Sequence, residues 1–455
     1  MMQDLSLTAV ATACGVEWSG KDAVFSGVCI DSRKVQSGDL FVALRGERFD
    51  SHDFLSDVQQ AGAVAALVEK IDSVVCLPQV LVKNSVSALG QVAKLNREMF
   101  GGKIIGLTGS AGKTTTKEMI AAILEQTGHP LVTAGNLNNH LGVPLSLLRL
   151  DPGHDSAVIE MGASALGEIA YLTRMTKPDV ALVTTVAAAH IEGFGSIENV
   201  ALGKKEIYAG LHPDGTAVIN LDNSWTAAWQ DGLREKFRVL TFSSSHVADI
   251  FATDILQSPN GVRFVLNAQN QRADIALAFL GLHNVSNALA AAASCMALGI
   301  AFEKIVTGLH AARPYKGRLQ SKHGVNGCLV IDDSYNANPA SVRMAIDTLL
   351  ACEGKKILVL GDMGELGVDA RSMHADTGRY AKEAGIQQLL VTGALSQATA
   401  DAFGEGALHF DSWQSLADYC LSQAEEHSTF LIKGSRSAGM DRVADALTST
   451  EKVTC

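Results

Sequence analysis

No stretch of this 455-residue sequence approaches the roughly 18 uninterrupted apolar residues that a membrane helix needs, so no insertion into a bilayer is expected. A basic excess is also missing. The chain has 37 Lys and Arg against 48 Asp and Glu, and its net charge of −11 argues against a nucleic-acid partner, because polyanion binding depends on clustered cations. A small anion held locally stays open. The eight cysteines make no CxxC pair and no metal-finger spacing, and they read as reduced thiols. The opening "MMQDLSLTAVATACGVEW" lacks the basic segment that precedes the apolar run of a secretory signal. Repeats and low-complexity tracts are absent too, and a cytoplasmic protein is expected.

Hydrophobic residues at 47% and charged residues at 19% supply ordinary globular cores. At roughly 100 to 200 residues per domain the length suggests two to four domains, and the patterning predicts three. Residues 1–100 carry short strand-like runs ("VCIDS", "LFVAL", "AVAALVE", "QVLVKN") separated by turn chemistry, as in a small α/β module. From 101 to 312 the rhythm is strand, turn, helix. Runs such as "KIIGLTG", "SAVIEMGA", "DVALVTTV" and "TAVINLD" predict a doubly wound, mostly parallel sheet covered on both faces.

Alternation between about 238 and 280, with "SPNG" as a hairpin turn, predicts a β-rich extension of that sheet, followed by an Ala-rich helix ending near Gly299. The linker-like "ARPYKGR" opens a second α/β series over 313–455, which predicts a Rossmann-like domain. The fold class is therefore α/β in three domains.

In "GLTGSAGKTTTKE" an apolar strand ends at Gly109, a turn follows and Lys113 opens a helix. Unpaired amides and the dipole at a helix start make such a turn a phosphate cradle, with Lys113 on the phosphates and the Thr114 hydroxyl on Mg²⁺. The glycines are one residue out of step with GxxxxGK[ST], since Leu107 stands where the first is due. Glu160 ends the next apolar strand, at the edge where open α/β sheets bind ligands, and a carboxylate there calls for a cation such as magnesium. His190 follows a further strand at a similar edge. The paired lysines of "ALGKKEIYAG" read, by themselves, as a solvated basic spot.

Taken in order, "GLTGSAGKTTTKE", "TAGNLNNHLGVPLSLL", "VIEMGA", "AHIEGFGS", "GLHNVSNALAA", "KGRLQ" and "DDSYNANPASV" resemble the Mur ligases. With "DSRKVQSGDLFVALRGERFDSHDF" before them and "LIKGSRS" after, the resemblance spans nearly the whole chain. It accounts for the glycine offset. The family's phosphate loop is a shorter TGxxGKT type, matched here by Thr108, Gly109, Ser110, Ala111, Gly112, Lys113 and Thr114, with Thr115 beside them.

The resemblance implies an N-terminal domain for a uridine nucleotide, a central ATPase and a C-terminal domain that closes over both. It implies ATP and two Mg²⁺ as cofactors, with Thr114 and Glu160 on one ion and His190 on the other. A carbamylated lysine supports the second ion, at Lys204 when "KKEIY" is aligned on KxEI[FY], with Lys205 as the neighbouring register. Asn284 and Asn287 would approach the adenine, although helix capping suits the first of them as well. Arg318 and Asp333 would reach back to the phosphates and ribose.

Ser32 and Arg33 would contact the uridine and its phosphates, and Asn136, Asn138 and Asn139 the substrate between domains. Tyr335, Asn336 and Asn338 would meet an incoming dipeptide, while Lys433, Ser435 and Arg436 would assist closure or substrate contact. The spellings "DSYNANP" and "HIEGFGS" favour the branch that adds D-alanyl-D-alanine to UDP-N-acetylmuramoyl-tripeptide, acting as a monomer. Another Mur ligase, a folylpolyglutamate synthetase and a P-loop ATPase switch remain the alternatives.

Overall fold

The computed structural model describes residues 2–46, 49–188, 191–258 and 261–448. Its centre is a nine-stranded sheet. Across it lie, in order, Gln271–Leu277, Gly261–Ala268, Ile250–Ser258, Arg238–Ser243, Thr216–Asn220, Val180–Val183, Lys103–Thr108, Ser156–Glu160 and Pro130–Val132. All neighbours are parallel except the last two strands laid down, 261–268 and 271–277, which add antiparallel. These two are the expected β-rich extension. The turn residues Pro259 and Asn260 of "SPNG" lie outside the described residues, though Ser258 pairs with Gly261 across them.

Side chains alternate between two cores, as the two-residue period of a strand requires. Ile104, Ile159 and Ala181 face one side, and Ile105, Val158 and Leu182 face the other. Near-continuous apolar runs were needed because helices cover both faces. Helices Lys113–Leu124 and His283–Leu298 pack together on the second side.

The N-terminal segment holds a four-stranded parallel sheet, ordered Gly27–Cys29, Asp39–Val42, Ala65–Val68 and Gln79–Leu81, and a small antiparallel pair, Leu5–Ser6 with Val24–Phe25. Its helix Ser85–Met99 fastens it to the centre. Asn96 donates to the carbonyls of Leu147 and Leu150 at 2.8 and 3.0 Å, and Arg97 to those of Thr176 and Lys177 at 2.8 and 3.0 Å. One apolar core, including Leu7, Leu89, Ile104 and Ile159, runs through both segments.

The C-terminal sheet has six strands in the order Gln320–His323, Leu329–Asp333, Ser428–Lys433, Lys355–Gly361, Gln388–Thr392 and Ala407–Phe410, with only the first antiparallel. Cores on its two faces, around Ile331 and Leu358 and around Val330 and Phe430, make it the expected Rossmann-like layer structure. The strand ends at Asp333 and Lys433 line a small cavity together with the Gly112 turn of the central sheet.

Candidate active site

The strand 103–108 delivers the chain into a turn that only glycine can make at two points. Gly109 has φ +153, and a Cβ on it would meet the Thr184 hydroxyl; Gly112 has φ +80, and a Cβ there would lie 2.4 Å from the Asn287 side-chain oxygen. Gly112 is also the N-cap of helix 113–124 and caps it with no side chain, which leaves the first amides open to an anion. The turn is braced from behind. Ser110 Oγ donates to Ala187 O at 2.9 Å, and Thr184 Oγ1 donates to Ala111 O at 2.6 Å. Lys113 Nζ donates to Gly109 O at 2.7 Å. Burial lowers its pKa, and the Glu160 charge works in the opposite sense.

A cavity of about 1030 Å³ opens from this turn, walled on one side by Lys113, Thr114, Glu160 and Lys204 and on the other by Arg318 and Tyr335. Glu160 is 1% exposed; its Oε1 accepts from Asn138 Nδ2 at 2.8 Å and its Oε2 is buried with no hydrogen-bond partner among the described residues. An ionised oxygen so placed is costly without a cation. Lys204 is also 1% exposed, with Nζ 3.4 Å from Ala163 O and 5.4 Å from the centre of the Phe194 ring. Burial first, and then the Lys113 charge, push its pKa down to about 7, against the opposing pull of Glu168 and Glu206. Lys205 points elsewhere, over the Trp229 ring at 5.8 Å. His190 lies outside the described residues.

A second, smaller cavity of about 120 Å³ lies on the far side of the turn and is lined by Gly112, Thr115, Asn284, Asn287, Asp333 and Lys433, among others. Asn284 does not cap its helix. It donates to Leu280 O at 2.7 Å and accepts from Asn287 at 2.8 Å, and Thr116 donates to Asn287 at 3.3 Å, so the pair ties helix 283–298 to the phosphate-loop helix. Beside them His283 is half-buried, and desolvation pushes its pKa down to about 4, so it is neutral at neutral pH.

Asp333 and Lys433 are opposite one another on neighbouring strands and bond at 2.6 Å, and Lys433 also donates to Asn336 O at 2.8 Å. Asp333 Oδ1 accepts from Leu319 N at 3.2 Å, which anchors the linker next to Arg318. Arg318 stacks on Tyr335 with Cζ 4.2 Å from the ring centre, and its Nε is buried without a partner among the described residues.

Several expected substrate contacts already have structural work. Asn139 Oδ1 accepts from Leu141 N and Gly142 N at 3.2 and 2.9 Å, at the start of helix 142–147. Asn338 forms a capping box with Ser341 on helix 339–350. Both still line the large cavity with Asn136, Asn138, Asn336, Ser435 and Arg436, the last paired with Asp441 at 3.2 Å. Ser32 and Arg33 are not among the residues lining either cavity; they form a 3-10 turn of the N-terminal segment, where Arg33 makes two 2.8 Å bonds to Asp31. Thr108 is fully buried, with its hydroxyl unpartnered among the described residues.

Sequence reasoning passed over Glu168, which lines the large cavity and accepts from Ser164 N at 2.8 Å, so that it grips the loop whose Ala163 carbonyl meets Lys204. Its signal was an acid in the first turn of helix 168–176 directly after "GASALG". Tyr315 was passed over as well; the linker composition around it concealed an aromatic that faces Tyr335 edge-on at 6.3 Å.

Three family models match: the Mur ligase family catalytic domain over 24–97, the Mur ligase middle domain over 107–295, and the Mur ligase glutamate ligase domain over 317–436. The UDP-N-acetylmuramoyl-tripeptide–D-alanyl-D-alanine ligase of Escherichia coli (strain K12) is 42% identical over an alignment covering 100% of both chains. MurF from Acinetobacter baumannii superposes with a TM-score of 0.92 at 35% identity, covering 98% of this chain and 99% of that one. MurF from Thermotoga maritima, solved in complex with ADP, gives 0.83 at 27% identity, covering 92% and 96%. The chain belongs to the Mur ligase family.

Proposed function

We propose that this chain is an ATP-dependent amide ligase that adds D-alanyl-D-alanine to UDP-N-acetylmuramoyl-tripeptide, giving the pentapeptide, ADP and phosphate. The observation that carries the proposal is the shared cavity. A phosphate loop, an unpartnered buried carboxylate and a buried lysine face Arg318 and Tyr335 of the C-terminal half across about 1030 Å³, room for a peptide carboxylate and an amine beside a triphosphate. Full-length likeness to the E. coli enzyme supports the choice of substrates.

A carboxylate is a poor electrophile. Its oxygen attacks the γ-phosphorus, ADP leaves, and the resulting acyl phosphate has a good leaving group. The amine of D-alanyl-D-alanine attacks the acyl carbon, the tetrahedral adduct collapses, phosphate departs and the amine proton passes to solvent or a base. Lys113 and the open amides of helix 113–124 hold the β- and γ-phosphates with Ser110, Ala111 and Thr115, and Arg318 meets the transferring group from the opposite wall. Asn284 and Asn287 shape the adenine side, and Asp333, oriented by Lys433, faces the ribose.

Magnesium fits the residues present. Among the described residues no group of three or more His, Cys, Asp or Glu could hold a metal unaided. Mg²⁺ is bound through one or two carboxylates together with substrate phosphates, and the spare oxygen of Glu160 and the Thr114 hydroxyl, which line the same cavity, would offer that hard-oxygen set. His190 and Lys204, the latter as a carbamate, would hold a second ion. When bound, the ions neutralise charge growing on the phosphoryl oxygens. A lysine with a pKa near 7 has the neutral amine that reacts with carbon dioxide to form a carbamate, releasing one proton.

In this reading residues 1–100 bind the nucleotide sugar, with Ser32 and Arg33 at the uridine and its phosphates. Residues 101–312 bind ATP, and 313–455 close over it. Asn136, Asn138 and Asn139 meet the sugar-peptide, and Tyr335, Asn336 and Asn338 the dipeptide, with Ser435 and Arg436 at the seam. The cavity is complete within one chain, which supports a monomer, and no described helix is long and apolar enough to cross a membrane; we place the reaction in the cytoplasm. Phosphate release from ATP tests the proposal. It should require both small substrates, with D-alanyl-D-alanine accepted in preference to D-Glu, L-Lys or meso-diaminopimelate; release stimulated by a protein instead would overturn it.

A further inference from the structure

Lys117 lies one helical turn beyond Lys113 on the same helix face and is 1% exposed, yet it takes no part in the chemistry above. Burying an ammonium is costly unless partners gather around it. Lys117 Nζ donates to Thr133 O at 2.8 Å, lies 3.1 Å from Glu118 Oε1 and stands 5.7 Å from the centre of the Tyr315 ring. Each contact leads somewhere different.

Thr133 opens the segment that carries Asn136, Asn138 and Asn139, and its hydroxyl accepts from the backbone N of Glu160 at 3.0 Å. Asn138 in turn donates to the Glu160 carboxylate. Tyr315 belongs to the linker, and its ring meets Tyr335 edge-on at 6.3 Å, with Arg318 stacked on the other ring. Tyr335 N donates to Gly317 O at 3.1 Å, which ties the linker to the end of the C-terminal strand.

We infer that Lys117 is a positioning residue for the ligation: its buried ammonium links the segment holding Glu160 and the cavity asparagines to linker Tyr315, and through Tyr335 to Arg318, keeping the two walls of the cavity in register. The inference rests on the ligase reading above. It differs from a plain packing role because both walls must respond when the ammonium is removed. Lys117→Met suits the test, since an apolar side chain of similar length in place of a buried ion is commonly tolerated by the fold.

The experiment measures steady-state ligation and ADP binding for the full-length wild type, Lys117→Met, Tyr315→Leu and the double variant, with amide exchange of 133–139 and 312–318. The expected result is a fall in kcat of about tenfold or more for Lys117→Met, with ADP affinity within about threefold. Lys117→Arg should recover part of kcat. The double variant should be little worse than the poorer single one, as coupled residues require, and exchange should quicken in both segments of Lys117→Met together. Unchanged kcat, multiplicative losses in the double variant, or faster exchange in 133–139 alone would overturn the inference. Failure of the ligase reading is separately visible, because wild type would then lack phosphate release dependent on both substrates.

Discussion

Replacing Lys204 by Met should make the protein more stable and nearly inactive at once. The ordinary lysine pKa of 10.5 falls to about 7 at this site, chiefly through burial. At about 1.4 kcal/mol per unit, that shift sets an upper bound of about 5 kcal/mol on the cost of carrying the ammonium there. The unfolded chain keeps the proton up to pH 10.5 and the folded chain releases it near 7, so wild-type stability should rise with pH across that window and Lys204→Met should lack the rise. If only a fifth of the cost is realised, about 1 kcal/mol, the variant melts about 1 to 2 °C higher at pH 7, since a cooperative unit of this size spreads that energy over a large unfolding entropy.

The assay is thermal unfolding of both proteins at pH 7 and pH 10 in degassed, magnesium-free buffer, where the lysine is unmodified, with ligation measured separately. The gap should narrow at pH 10, and ligation should fall by about 100-fold or more. A variant less stable at pH 7, or a gap independent of pH, would refute the electrostatic account of the site.

Lys204→Ala should regain ligation when formate or acetate is supplied in place of the carbamate, whereas rescue of Lys205→Ala would move the functional lysine by one residue. Lys113→Ala should abolish phosphate transfer, by about 1000-fold or more in kcat/KM, with unchanged circular dichroism. Lys433→Met leaves Asp333 buried without its partner and should cost about 3 to 5 kcal/mol in denaturant unfolding, with Lys433→Met/Asp333→Leu milder than the single change. Gly112→Ala forces a side chain into φ +80 and against Asn287; a loss of about 1 to 3 kcal/mol and a higher KM for ATP are expected from melting and kinetics.

The central sheet was legible because its strands are apolar on both faces and separated by glycines and helical periods. The turn before helix 113–124 was legible because glycines and GKT follow directly on such a strand. Choosing Lys204 over Lys205 required the family pattern, since adjacent lysines look alike in composition; burial separates them in the fold, with one in the cavity wall and the other over Trp229. The Asp333–Lys433 pair could not be foreseen, because 100 residues separate two groups that meet only through strand register. Asn139 and Asn338 were ambiguous for a different reason. The amide that recognises a substrate is the same group that starts a helix, and only coordinates show which backbone N–H it faces. Nothing in the sequence separates Lys117 from a surface lysine on a helix; in the fold Thr133 and Tyr315 enclose it.

The central claim, that bound phosphate activates a carboxylate for amide formation, is tested most directly with ¹⁸O in the tripeptide's terminal carboxylate. UDP-N-acetylmuramoyl-pentapeptide should form one for one with ADP, and one ¹⁸O atom should be transferred to each phosphate released. Phosphate free of the label, or ATP hydrolysis without pentapeptide when both substrates are present, would contradict it.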